Sequence, residues 1–182
     1  MSQHVVSALV ENHAGTLSRV SGLFSRRGYN IDSLTVGVTD DPSISRMTIA
    51  VNSSAPNGSK SGRRVLEQIV KQLSKLEDVI AVRELDNDFC LCREIMLVKI
   101  KADQNTRPAV LEISGIFRAR VVDVSPETIT VEATGSFDKL NGLLLLLRPY
   151  GILEMARTGM VALERGNKVL TTNEEWGVRI NE

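Results

Sequence analysis

Apolar and polar positions follow two periods along this chain, one of two residues and one of helical spacing, and the two periods take turns. Residues 5–10 form a short apolar run that ends at the turn-forming group Glu11-Asn12-His13-Ala14-Gly15, which predicts a buried strand. Leu17, Val20, Leu23 and Phe24 then recur at helical spacing, with Ser18, Arg19, Arg26 and Arg27 on the other face. Gly28 is a natural stop for that helix. Residues 31–38 read as a strand, Thr39-Asp40-Asp41-Pro42 as a turn and 44–51 as the returning strand. A Ser-, Asn-, Gly- and Lys-rich stretch at 52–62 reads as a loop. Val65, Leu66, Ile69, Val70 and Leu73 mark a second amphipathic helix, and 79–85 a fourth strand. The order is β-α-β-β-α-β, the split-βαβ or ferredoxin-like arrangement.

After Asp86-Asn87-Asp88 the order begins again. A strand at 95–100, a helix at 108–117, strands at 121–124 and 128–133, a helix at 137–147 and a strand at 152–156 complete a second set. Residue identity supports a repeat: Ser21-Gly22-Leu23-Phe24 returns as Ser114-Gly115-Ile116-Phe117, and the same offset sets Val5 on Val98 and Leu17 on Val110. The expected fold class is α+β, with two tandem ferredoxin-like βαββαβ units at 1–86 and 89–165. A polar tail at 166–182 has little apolar periodicity and is expected to be disordered. The helix at 137–147 is apolar all round at 143–147, so some of its leucines should be exposed and form an interface, or else extend the core beneath the tail.

Composition then removes whole classes of function. The chain has 182 residues, with 22 basic against 22 acidic and no formal net charge, which disfavours nucleic acid and anionic membrane as main partners. Arg26-Arg27-Gly28-Tyr29 loosely resembles an RNA-recognition signature, but it sits at a helix end and not on the third strand, which holds Met47, Ile49 and Val51. No apolar run is long enough to span a bilayer, and the first strand begins almost at once, so no targeting segment is expected. Cys90 and Cys92 are too close for an ordinary structural disulfide, and a reduced, cytoplasmic setting is expected. Only His4 and His13 exist, and there is no Cys-x-x-Cys, P-loop or G-x-S-x-G. The expectation is a binding protein, with no catalytic residue and no metal set.

The two repeats differ where strand meets helix. The first has Asn12-His13-Ala14-Gly15-Thr16, a turn whose unpaired helix-start amides suit a carboxylate, with Gly15 admitting close approach and Asn12 offering a donor and an acceptor. The same residues also make an ordinary tight connection, and the local pattern does not separate the two readings. The second repeat has Gln104-Asn105-Thr106-Arg107-Pro108 there, without glycine. Any ligand site therefore falls in the first.

The run from Glu11 to Val20, continued by Gly22-Leu23-Phe24-Ser25-Arg26-Arg27-Gly28-Tyr29-Asn30-Ile31, closely resembles the small regulatory subunit of acetolactate synthase (acetohydroxyacid synthase). Ser33-Leu34-Thr35-Val36, Ser45-Arg46-Met47-Thr48, Arg93-Glu94-Ile95-Met96 and Ala156-Arg157-Thr158-Gly159 extend the resemblance over the first 165 or so residues. It implies that the first unit is an amino-acid-sensing ACT domain and that two such domains pair edge to edge in a homodimer. It implies further that valine, or another branched-chain amino acid, binds at that interface. Asn12, Ala14, Gly15, Thr16 and Leu17 would come from one chain, and Asn30 and Ile31 from its neighbour. The partner would be a separate catalytic subunit carrying thiamine diphosphate, FAD and Mg, which this chain stimulates and makes sensitive to the pathway end product. Leucine-rich surface on the second unit is a candidate for that contact. The alternative is a stand-alone amino-acid-binding ACT protein that regulates a different enzyme.

Overall fold

Alternating burial in the central strands of the second repeat and apolar helix faces in both repeats accompany two sheets, each with its helices on one face. The structure, a computed structural model, describes residues 3–52, 62–86 and 88–171. Apart from its end residues, the predicted loop at 52–62 lies outside the described residues, as does the tail beyond Thr171.

The first repeat forms β1 (Gln3–Glu11), α1 (Thr16–Arg26), β2 (Ile31–Val38), β3 (Ile44–Asn52), α2 (Gly62–Leu73) and β4 (Val79–Leu85). Its antiparallel sheet has the order β2-β3-β1-β4, the ferredoxin-like order. Period two sends Val6, Ala8 and Val10 to one face, where they meet Val20, Leu23 and Phe24 of α1 and Leu66, Ile69 and Leu73 of α2. Burial of each such side chain contributes roughly 1.5–3 kcal/mol.

The second repeat forms β5 (Cys90–Lys101), α3 (Arg107–Ile116), β6 (Arg120–Val124), β7 (Thr128–Gly135), α4 (Phe137–Leu147) and β8 (Ile152–Arg157), in the order β6-β7-β5-β8. Met96, Val98 and Ile100 of β5 pack on Val110 of α3 and on Leu140, Leu143 and Leu147 of α4. Leu145 and Leu146 are exposed, so part of the leucine surplus at 143–147 does lie on the surface. The start of β5 and the end of β8 are locked by polar contacts: Thr158 accepts from the Ile95 N–H and donates back to its carbonyl, and Arg157 pairs with Glu94.

Two compact units result, but not with the boundary that the pattern suggests. The hydrophobic pattern carries the second unit to 165; in the structure it ends at Gly159, and the chain from Met160 onward belongs with the residues up to Leu91. This returning segment lies across the sheet face opposite α1 and α2. The Met160 N–H donates to Ser33 Oγ of β2 at 2.8 Å, and Arg46 Nη2 of β3 donates to the Ala162 carbonyl at 3.3 Å. Arg83 of β4 pairs with Glu164 at 2.7 Å, and Leu170 packs on Leu9 and Ala81. A short strand, β9 (Val161–Glu164), pairs with β5. Both faces of β1 are buried: Val5, Ser7 and Leu9 on one side, Val6 and Ala8 on the other. The predicted tail thus begins as part of the first unit's core.

Candidate functional site

The turn from β1 into α1 is held from three sides. The Glu11 N–H donates to the Asp78 carbonyl at 2.9 Å, and the Asn12 N–H to the Ser43 carbonyl at 2.7 Å. Asn12 Nδ2 donates to the Pro42 carbonyl at 2.8 Å. A carbonyl acceptor there fixes the amide's orientation, so Oδ1 is the atom left for an ammonium group. Gly15 has φ +97° and ψ −22°, the left-handed region where a side chain is strained, and it caps α1 without a side-chain hydrogen bond. Thr16 is buried behind it, and Leu17 is nearly half exposed. Among the described residues, the N–H groups of Gly15 and Leu17 have no protein acceptor. A helix start with unpaired donors and positive partial charge favours a carboxylate.

Asn30 and Ile31 lie elsewhere. Asn30 Nδ2 donates to Asp32 Oδ1 at 2.9 Å, and Ile31 begins β2 opposite Val51. Glu11 stands opposite Ile44 at the other end of β3. Seven residues of strand separate these rungs, roughly 23 Å. One chain by itself therefore does not bring Asn12–Leu17 and Asn30–Ile31 together.

Charged residues that the sequence pattern does not single out complete the turn. Buried Asp78 receives His13 Nε2 on Oδ1 at 3.1 Å and Arg19 Nε on Oδ2 at 3.0 Å, while Glu11 lies 3.2 Å from the same imidazole nitrogen. His13 Nδ1 donates to the Ala14 carbonyl at 3.1 Å. That bond is the main cause of a His13 pKa raised above its ordinary 6.5; desolvation and Arg19 oppose it, and Asp78 and Glu11 assist it. The sequence shows that a carboxylate is needed here but not that Asp78 supplies it. The first turn of α1 has no acidic residue and carries Arg19 just beyond it, so a cation near the positive helix end needs a carboxylate from elsewhere. The carboxylates and imidazole of Glu11, His13 and Asp78 lie within 4.8 Å of one another, a set that could ligate a divalent cation. Arg19, 3.0 Å from Asp78, competes for the same carboxylate.

Because the folded pKa of His13 is raised, its protonation stabilises the turn fully below the unfolded value near 6.5. That contribution is lost as pH rises through the folded value. The His13 ring protons should titrate with a midpoint above 6.5 in an NMR pH series, and Asp78→Asn should lower it. A midpoint at or below the free-histidine value would contradict the arrangement.

The second unit shows the same turn already filled. Asp103 Oδ1 accepts from the Asn105 N–H at 2.9 Å, the Thr106 N–H at 2.8 Å and Thr106 Oγ1 at 2.8 Å. These bonds, Thr106 foremost, hold the Asp103 carboxyl below the usual range, and Arg107 adds to the effect. Arg107 Nη2 in turn donates to the Ala102, Ser125 and Pro126 carbonyls. A carboxylate of the chain's own takes the Asn105 and Thr106 amides leading into α3, and the Arg107 N–H goes to the Asp103 carbonyl. In the first unit the corresponding amides have no such side chain among the described residues.

Known proteins resemble the chain over nearly its whole length. A family model for an AHAS small subunit-like ACT domain matches residues 6–81, and one for the small subunit of acetolactate synthase matches residues 93–166. A probable acetolactate synthase small subunit of Methanothermobacter thermautotrophicus is 47% identical, over 92% of this chain and 95% of that protein. The acetolactate synthase isozyme 3 small subunit of Salmonella typhimurium is 48% identical, over 92% and 99%. The crystal structure of an acetolactate synthase small subunit from Thermotoga maritima superposes with a TM-score of 0.80 at 37% identity, covering 92% of this chain and 99% of that one. With two family models matched in tandem along residues 6–81 and 93–166, and relatives 47–48% identical over 92% of its length, the chain belongs to the acetolactate synthase small-subunit family.

Proposed function

We propose that this chain is the regulatory subunit of an acetolactate synthase in branched-chain amino-acid biosynthesis. It binds valine at an interface between two ACT domains, stimulates a separate catalytic subunit and confers feedback inhibition. The carrying observation is the contrast between the two turns: the Asn105 and Thr106 amides leading into α3 are taken by Asp103, whereas among the described residues the Gly15 and Leu17 amides at the start of α1 have no protein acceptor and suit an external carboxylate. Asn12 Oδ1 suits the ammonium group of an amino acid, and exposed Leu17 suits a branched side chain.

Sheet topology favours a site shared by two copies. β2 is an edge strand, with Val36 and Val38 exposed along it. An unpaired apolar edge invites a second strand. Antiparallel pairing of β2 with β2 of a second copy would set the neighbour's Ile31 beside Val38, and Val38 stands opposite Ser45 at the β1–α1 end of the sheet. Asn30 and Ile31 of the neighbour would then face Asn12–Leu17. The reaction itself belongs to the catalytic subunit, where thiamine diphosphate, FAD and Mg would supply the chemistry. Valine acts by binding the low-activity arrangement more tightly, and a coupling of about 1–3 kcal/mol gives a useful response.

The test is co-purification with the catalytic subunit, an activity assay with and without valine, and calorimetry on the full chain. The expected results are stimulation, valine inhibition and one valine per chain, with the second unit silent. Valine heat without stimulation of the synthase would favour the stand-alone regulator of a different enzyme. A chain that neither stimulates the synthase nor binds a branched-chain amino acid would overturn the proposal.

A further inference from the structure

We infer that Arg19 is the cationic partner of the ligand carboxylate, held in place for that task by Asp78. The inference rests on the valine reading above and adds to it a side chain outside the run from Asn12 to Leu17. Arg19 lies one turn into α1, and helical side chains lean back toward the N-terminus. Its guanidinium accordingly reaches the turn: a Cβ placed on Gly15 would lie 3.6 Å from Arg19 Nη2 and 4.0 Å from Nε. Asp78 takes the Nε side at 3.0 Å. Among the described residues, no protein acceptor takes the Nη groups.

An arginine near the positive end of a helix is unfavourable unless a negative charge offsets it. Asp78 offsets it in the free chain, yet its carboxylate is shared with His13, which approaches Oδ1 at 3.1 Å. Three charged or titratable neighbours therefore surround the guanidinium: Asp78, His13 and, through His13, Glu11. What remains unmatched is the planar Nη fork beside Gly15, the geometry that recognises a carboxylate.

The second unit supplies an internal template for the complete arrangement. There the turn amides of Asn105 and Thr106 leading into α3 hold a real carboxylate, that of Asp103, and an arginine, Arg107, stands close enough to stabilise its charge. In the first unit amides and arginine are both present, and among the described residues no carboxylate bonds the amides. The carboxylate of a free α-amino acid completes the set.

Calorimetry on the full-length chain tests this with L-valine and with L-valinamide, which lacks the carboxylate charge. Wild type should prefer valine. Arg19→Gln should weaken valine by about ten- to a hundredfold, as expected for loss of a charge-assisted hydrogen bond, while valinamide changes little. Arg19→Lys should recover part of the loss, since charge returns without the fork. Circular dichroism and thermal melting of each variant report folding separately. An unchanged preference for valine over valinamide in Arg19→Gln, or equal loss of both ligands, overturns the assignment. Wild-type binding of valine without any preference over valinamide also overturns it, while leaving the valine site standing. Absence of wild-type valine binding overturns the underlying reading and this inference together.

Discussion

Replacing Gly15 by aspartate should abolish valine binding while leaving the chain folded, and replacing it by alanine should do the reverse in emphasis. Two effects meet at this position and the pair separates them. At φ +97° any side chain is strained, by about 1–2 kcal/mol for alanine and less for aspartate, which tolerates the left-handed region better. Space is not the obstacle, because the nearest atom to an added Cβ is Arg19 Nη2 at 3.6 Å, an ordinary contact. On backbone grounds, therefore, Gly15→Ala is the more destabilised protein. On electrostatic grounds the order inverts. Gly15→Asp brings a carboxylate to the turn amides and Arg19, reproducing what Asp103 does in the second unit. Like charges brought together cost several kcal/mol, and each 1.4 kcal/mol is about tenfold in affinity, so valine should weaken by roughly a hundredfold or more. Gly15→Ala should weaken valine by no more than about thirtyfold, since strain of about 1–2 kcal/mol corresponds to roughly five- to thirtyfold. The measurement is calorimetry beside thermal melting for both variants. Equal affinities in the two would show that no carboxylate binds at this turn.

The same turn shows how far sequence reasoning reaches. The two βαββαβ sets were legible because their information is local: period-two runs such as 5–10, the helical stripe Leu17-Val20-Leu23-Phe24, and Gly28 as a stop. The asymmetry between the turns was legible as well, from Gly15 on one side and its absence on the other. What makes that asymmetry chemical was not, since it depends on Asp78 reaching back to His13 and Arg19 from the start of β4. Asp103 escaped notice for a related reason. Its role is an Asx-type bond to residues two and three ahead, and aspartates in turns are common enough to carry no message alone. The return of Met160–Leu170 was the largest omission. β9 has four residues, with only Ala162 fully inward, and its partners Ser33, Arg46 and Arg83 are remote in sequence. Four residues cannot display a period, and in the polar stretch after Glu164 a single leucine, Leu170, carries the packing on Leu9 and Ala81. The segment braces β2, β3 and β4 from behind, so these strands are tied to the chain from Met160 onward.

In the second unit, removing Arg157 should unfold or severely weaken the domain. The sequence marks Arg93-Glu94-Ile95 and Ala156-Arg157-Thr158-Gly159 as two separate stretches, and the structure shows them to be one joint. Thr158 exchanges hydrogen bonds with the Ile95 backbone, while Arg157 Nε donates to Glu94 Oε2 and Nη1 to Asn141 Oδ1 at 2.8 Å. The guanidinium also lies over the Phe137 ring, 4.9 Å from its centre, so β5, β8 and α4 all meet at this side chain. Glu94 has only 6% of its side chain exposed and Arg157 only 18%, so water cannot replace a missing partner. An exposed pair of this kind would be worth less than about 1 kcal/mol. Breaking a buried one leaves an uncompensated charge and costs about 3–5 kcal/mol, which for a small domain lowers the melting midpoint by at least about 12 °C. Arg157→Met should show this loss at neutral pH. Adding Glu94→Leu to it should restore much of the stability, because two apolar side chains of suitable size can replace a buried pair at little cost or with gain. Thermal melts of the single and double variants decide the matter. A single variant within about 1 kcal/mol of wild type would mean that the pair is solvated and that the joint rests on Thr158 alone.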